Sequence, residues 1–156
     1  MKWLAAIFLS ITLLSCTGKK ENSFDPKKTE SEVRTFLTDY FEDVKQNGLT
    51  AEFNYLDTSS SFFWVPPGYN KALNYQEIAE AISANAKTMK SINNRWERLE
   101  IFPVTTEVAT YHGIVVSEYT DTTGKTGSTK LIEAGTMVLR TNGWKLLSGH
   151  TTVLAD

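Results

Sequence analysis

The hydrophobic period of this chain changes once, near Ser91, and that change limits the fold more than any other feature of the sequence. Before it, apolar residues recur at helical spacing; after it, they alternate. Val33, Phe36, Leu37, Tyr40, Phe41 and Val44 make one apolar stripe along residues 30–45. Thr29 with Glu32 forms a capping-box pattern before that stripe, and Asn47-Gly48 supplies a stop. Phe53 and Leu56, three apart, predict a short second helix over residues 49–56. The apolar run 62–65, closed by Pro66-Pro67-Gly68, predicts a brief strand and a loop. Asn74 with Glu77 opens a further helix predicted over residues 75–90, with Ile78, Ile82, Ala86 and Met89 on its buried side.

Alternation then predicts four strands, at residues 95–102, 108–120, 129–140 and 144–153. Residues 121–127 are polar and contain two glycines, as in a longer hairpin loop, and Asn142-Gly143 fits a tight type I′ turn. Helices followed by a sequential meander define an α+β class, with the helices on one face of a curved antiparallel sheet. A chain of 156 residues has room for one such domain. Its net charge of −2, with the signs interspersed after Lys28, argues against a nucleic-acid partner, which requires clustered Lys and Arg. The 12% of aromatic residues predicts either a well-filled core or an aromatic-lined cavity.

The N-terminus is of another kind. Met1-Lys2 gives a positive start, and the apolar run from Trp3 to Leu14 is too short for a membrane span, which needs roughly 20 residues. Leu13-Leu14-Ser15-Cys16 resembles a bacterial lipobox. The resemblance implies cleavage before Cys16, lipid on its sulfur and attachment to a bacterial membrane (the outer one in a Gram-negative cell), with the domain outside the cytoplasm. Cys16 is the only cysteine, which excludes disulfides and thiolate metal clusters within the chain. The expected organisation is a signal peptide over residues 1–15, a lipidated Cys16 and polar tether over 16–29, and one domain over 30–156.

The order of elements is similar to the NTF2-like (SnoaL-like, ketosteroid-isomerase-like) superfamily. The residues carrying the likeness are Gly143-Trp144-Lys145-Leu146-Leu147-Ser148-Gly149-His150-Thr151-Thr152, Thr136-Met137-Val138-Leu139-Arg140 before them, and Phe62 to Gly68 followed by Glu77-Ile78. The resemblance implies a conical half-barrel, in which helices and a curved sheet enclose a pocket open at one end. It also implies a tendency to dimerise through the outer sheet face.

Strict alternation along the last strand puts His150 with Trp144, Leu146, Ser148 and Thr152, and the resemblance turns that face toward the cavity. His150 is then the first candidate acid or base. A two-residue loop would set Glu133 opposite Thr152, as a buried carboxylate able to assist; a three-residue loop would set Ala134 opposite His150 instead. His112, grouped with Thr110, Ile114 and Val116, reads as a satisfied or exposed strand histidine. Tyr40, Phe53, Trp64 and Tyr69, with Ser148 and Thr152, are the expected pocket lining. Two histidines without acidic neighbours at ligand spacing predict no metal, and nothing in the sequence calls for a cofactor. No aspartate matches a ketosteroid-isomerase base. The expectation is a lipid-anchored protein binding a small apolar molecule or an envelope partner. The alternative is a small-molecule isomerase, cyclase or hydrolase working through His150, with Glu133 or Tyr40 assisting.

Overall fold

The first helix opens on an Asp-Pro pair. A computed structural model describes residues 23–154, and in it α1 (Pro26–Asn47) is capped by Asp25. The Asp25 carboxylate accepts from the backbone N–H groups of Lys27 at 3.0 Å and Lys28 at 3.2 Å. Pro26 follows, and proline at the first helical position wastes no donor, since its N–H would have lacked a partner. The predicted capping box at Thr29 and Glu32 is therefore superseded. Thr29 already lies within the helix, only 4% exposed. The leader and Cys16 lie outside the described residues.

A 3₁₀ turn (Leu49–Asn54) stands where the short second helix was expected, and β1 (Phe63–Val65) follows. Next comes α2 (Tyr75–Ala86), which begins as predicted with both capping-box bonds formed. The Glu77 N–H donates to Asn74 Oδ1 at 3.0 Å, and the Asn74 N–H donates to Glu77 Oε2 at 2.9 Å. This helix stops before the predicted Lys90. The Thr88 hydroxyl donates to the Asn85 carbonyl, while the Thr88 carbonyl accepts from the Thr122 N–H at 2.9 Å. The backbone is thus drawn into the sheet, and Met89 starts a strand rather than closing a helix face.

The remaining strands are β2 (Met89–Pro103), β3 (Val108–Asp121), β4 (Thr126–Arg140) and β5 (Gly143–Val153). They form one sheet in the order β1-β5-β4-β3-β2, antiparallel throughout except that β1 runs parallel to β5. Val33, Leu37, Phe41 and Val44 of α1 pack on its concave face among Trp96, Tyr111, Val115 and Leu146. Phe41 stacks on Trp96 with ring centroids 4.9 Å apart.

Two details of the last hairpin decide which side chains of β5 face the core. Arg140 pairs with Gly143, and of the turn residues only Gly143 takes a positive φ, at 104°. A type I′ turn, which needs positive φ at both central residues, is therefore not what forms. Further on, Met137 pairs with Leu146 but Thr136 pairs with Ser148, so Leu147 is an extra, unpaired residue. That bulge reverses the phase of the strand. Trp144 and Leu146 face the core before it, and Gly149 and Thr151 face inward after it. His150, Ser148 and Thr152 turn to the outer face. The sequence alternation, which carried all of these side chains with Trp144, fails at Leu147.

Candidate functional site

The concave face and the helices leave a cavity of about 240 Å³. All five strands contribute to its lining, and α1, the 3₁₀ turn and α2 close it. Most of its wall is apolar: Leu49, Leu56, Phe62, Ile78, Ile82 and Leu146 contribute. Pro67 and Asn85 line it while remaining exposed, which sets the mouth between the loop after β1 and the C-terminal half of α2.

Glu133 is the centre of the polar part. The register places it between Gly113 on one side and Thr151 on the other, on the inner face and 8% exposed. The Tyr111 hydroxyl donates to Glu133 Oε1 at 2.8 Å. The Thr151 hydroxyl donates to Oε2 at 3.4 Å, and Trp64 Nε1 donates to that same hydroxyl at 3.0 Å. Space for Trp64 exists because its neighbour on β5 is Gly149. A Cβ there would lie 2.6 Å from the indole and 2.5 Å from the Ala134 carbonyl oxygen.

A second carboxylate comes from the 3₁₀ turn. Residues three apart eclipse in such a turn, so Glu52 sits over Leu49 and both face the cavity. Tyr40 brings its hydroxyl beside Glu52. Burial pushes the Glu133 carboxyl up to about 7, against the lowering effect of its bonds from Tyr111 and Thr151. Burial and then the nearby Glu133 push Glu52 up to about 7 as well, while Tyr40 pulls the other way. Tyr40 and Tyr111 are both raised well above the ordinary phenol value, first by burial and then by the nearby carboxylates. The site therefore holds two carboxyls that exchange protons near neutrality.

A separate polar pair lies further along the sheet. Asn94 and Ser117 face each other across β2 and β3, and both line the cavity. The buried Asn94 Oδ1 has no hydrogen-bond partner among the described residues.

Of the residues singled out from sequence, Glu133, Tyr40 and Trp64 come together in the cavity. Phe53 packs against the core from the side, in a depression with Asp57 and Arg140. Tyr69 is half exposed on the loop after β1. Ser148, His150 and Thr152 share the outer face with Phe63 and Phe102. His112 is there too, stacked on Phe102 at 5.6 Å and 3.4 Å from the Glu100 carboxylate. Glu52, Tyr111, Thr151, Asn94 and Ser117 were not foreseen. The three-residue period from Leu49 carried a signal for Glu52. Thr151 and Tyr111 depend on the register, which the Leu147 bulge concealed. Among the described residues no three acidic, histidine or cysteine side chains cluster as a metal site would require, and no helix is long and apolar enough to cross a membrane.

No protein-family model matches the chain, and no curated protein matches it by sequence. Its shape is another matter. An NTF2-like superfamily protein from Salmonella enterica superposes with a TM-score of 0.71 at 16% identity, over 83% of this chain and 94% of that one. A Streptomyces avermitilis protein of the NTF2-like family, proposed to be a dehydratase, gives 0.70 at 15%, over 84% and 100%. A protein of cystatin-like fold from Caulobacter vibrioides gives 0.66 at 16%, over 83% and 92%. The chain thus has the NTF2-like fold: α+β, with N-terminal helices on a curved, mostly antiparallel sheet of five strands.

Proposed function

We propose that this chain is a lipid-anchored protein of the cell envelope that binds a compact, mostly apolar molecule in its cone. One observation carries the binding part: a cavity of about 240 Å³, open at one end, with apolar walls and a single hydrogen-bonded carboxylate network. Ligand sites are built in that way, with a few polar groups fixing orientation in an apolar hollow. At roughly 30 Å³ per water, the space is that of about eight waters, so the ligand is small. Benzyl alcohol and benzylamine are suitable probes. At about ten times its Kd, a ligand adds roughly 1.4 kcal/mol, which raises Tm by a few degrees. Ala81→Trp, on the cavity wall, removes that rise. If no probe shifts the wild type, the cavity is packing space and the reading fails.

The anchor rests on the sequence before the domain, Leu13-Leu14-Ser15-Cys16 after an apolar run. Labelled palmitate is expected to enter the wild type and not Cys16→Ser. Equal labelling of both would remove the anchor. We also propose pairing through the outer sheet face, where Phe63 and Phe102 are 46% and 49% exposed. Phe102→Glu then shifts the sedimentation of the chain toward a single copy, and an unchanged profile would exclude this face.

A second reading, acid–base catalysis, is favoured by the two cavity carboxyls near 7. In that reading Glu133 takes the role expected of His150, which lies on the other face. Deuterium exchange into an enolisable ketone such as cyclohexanone, lost in Glu133→Gln, would establish it; exchange at the rate of buffer alone would exclude it.

A further inference from the structure

The cavity wall is one-sided in its chemistry. Two carboxylates reach it from different elements, Glu52 from the 3₁₀ turn and Glu133 from β4. None of the described residues that line it is a Lys, Arg or His. The Asn94 carbonyl oxygen is buried there with no donor to meet it. Tyr40, Phe62 and Trp64 add aromatic surface, whose faces attract positive charge. The donors nearest Glu133, the Tyr111 and Thr151 hydroxyls, are already engaged with it, and the described lining offers no positive charge.

We infer that the cavity takes a small organic cation, an amine whose N–H groups are held between Glu52 and Glu133. This rests on the binding reading above and specifies its ligand. An ammonium group supplies the opposite charge that lets both carboxyls ionise, and its N–H groups make charge-assisted hydrogen bonds to both carboxylates. A second donor on the same molecule would answer Asn94. A neutral ligand could fill the volume but would leave the pair sharing a proton. A carboxylate ligand would add a third negative charge to a site without a cation.

The groups facing the pair are known from every element around it. Tyr40 comes from α1 and Tyr111 from β3, Thr151 from β5 and Trp64 from β1. The cavity-facing residues of α2 and β2 carry no ionisable group. Of the described residues that line the cavity, the two carboxyls are the groups that change charge between pH 6 and pH 8. A bound cation lowers their proton affinity, so binding at pH 7 expels protons to solvent and tightens as pH rises.

Calorimetry on the full chain in phosphate and in MOPS tests this, because the two buffers differ in the heat of taking up a proton and neither is a primary amine. The probes are benzylamine and cyclohexylamine, against benzyl alcohol, cyclohexanol and benzoate. The amines are expected to bind with release of up to about one proton, at least tenfold more tightly than the alcohols, and benzoate not at all. For a carboxyl titrating at about 7, amine affinity rises about tenfold between pH 6 and pH 8. Glu133→Gln and Glu52→Gln each lose amine affinity and proton release while keeping what alcohol binding there is. Alcohols bound as tightly as amines, or amines bound without proton release and equally by both variants, would overturn the cation and leave the cavity reading intact. A wild type that binds none of the five sinks both.

Discussion

At the scale of single residues, the site depends on what is missing from Gly149 as much as on what Glu133 carries. The indole of Trp64 lies against the Gly149 backbone, and from there its N–H reaches Thr151, which in turn bonds Glu133. A methyl group at residue 149 would sit 2.5 Å from the Ala134 carbonyl oxygen, a backbone atom that the β4–β5 ladder holds in place. Both the strand spacing and the indole would have to give. Gly149→Ala is therefore expected to cost about 1–3 kcal/mol in urea unfolding, as overpacked sites do. It should also change the Trp64 emission. A variant with wild-type stability and spectrum would mean that the indole is not seated on this glycine. The same geometry recurs one strand over, where Tyr111 lies over Gly135, the cross-strand partner of Gly149, on its way to Glu133.

At the scale of elements, what the sequence disclosed and what it hid have separate physical causes. The start of α2 was legible because a capping box is local: Asn74 and Glu77 bond each other's backbone whatever lies elsewhere. The start of α1 was written equally locally in Asp25-Pro26, but the polar residues around that pair look like tether. Removing this cap should fray the first turn. Asp25→Ala is expected to cost about 1 kcal/mol in denaturant unfolding, and no loss would show the cap to be idle. The bulge was of the other kind. Leu147 directly follows Leu146 and carries no turn signal of its own. Its exclusion from pairing is decided by how β4 and β5 fit over the core. One unpaired residue moved His150 out and Thr151 in, so Glu133 was legible as a candidate carboxylate, while its partner Thr151, in place of the expected Thr152, was not. The end of α2 was similarly decided elsewhere, by the Thr88 carbonyl joining β3 at Thr122.

Over the whole molecule, the fold bears a cost for keeping two carboxyls inside the cone, and pH exposes it. In the unfolded chain Glu52 and Glu133 titrate near the ordinary value of 4.5, and in the folded chain near 7, burial being the largest cause for both. Between those values the native state holds protons that the unfolded chain has released, so stability falls as pH rises through that window and levels off above it. Each shift corresponds to at most about 3 kcal/mol, a sizeable part of the stability of a domain this size. In Glu133→Gln, the amide still accepts from Tyr111 but carries no charge, and Glu52 loses the repulsion that helped to raise it. The variant should match the wild type near pH 5, exceed it at pH 8, and show no more than about half of the decline between. Urea midpoints measured across that range decide the matter. Parallel curves would mean that Glu133 is already solvated in the native state, and a cavity wet enough to solvate it would not select its contents by charge. The fall in stability should also vanish when the cone is filled by whatever neutralises the pair, which ties the pH response of the fold to the occupant of its cavity.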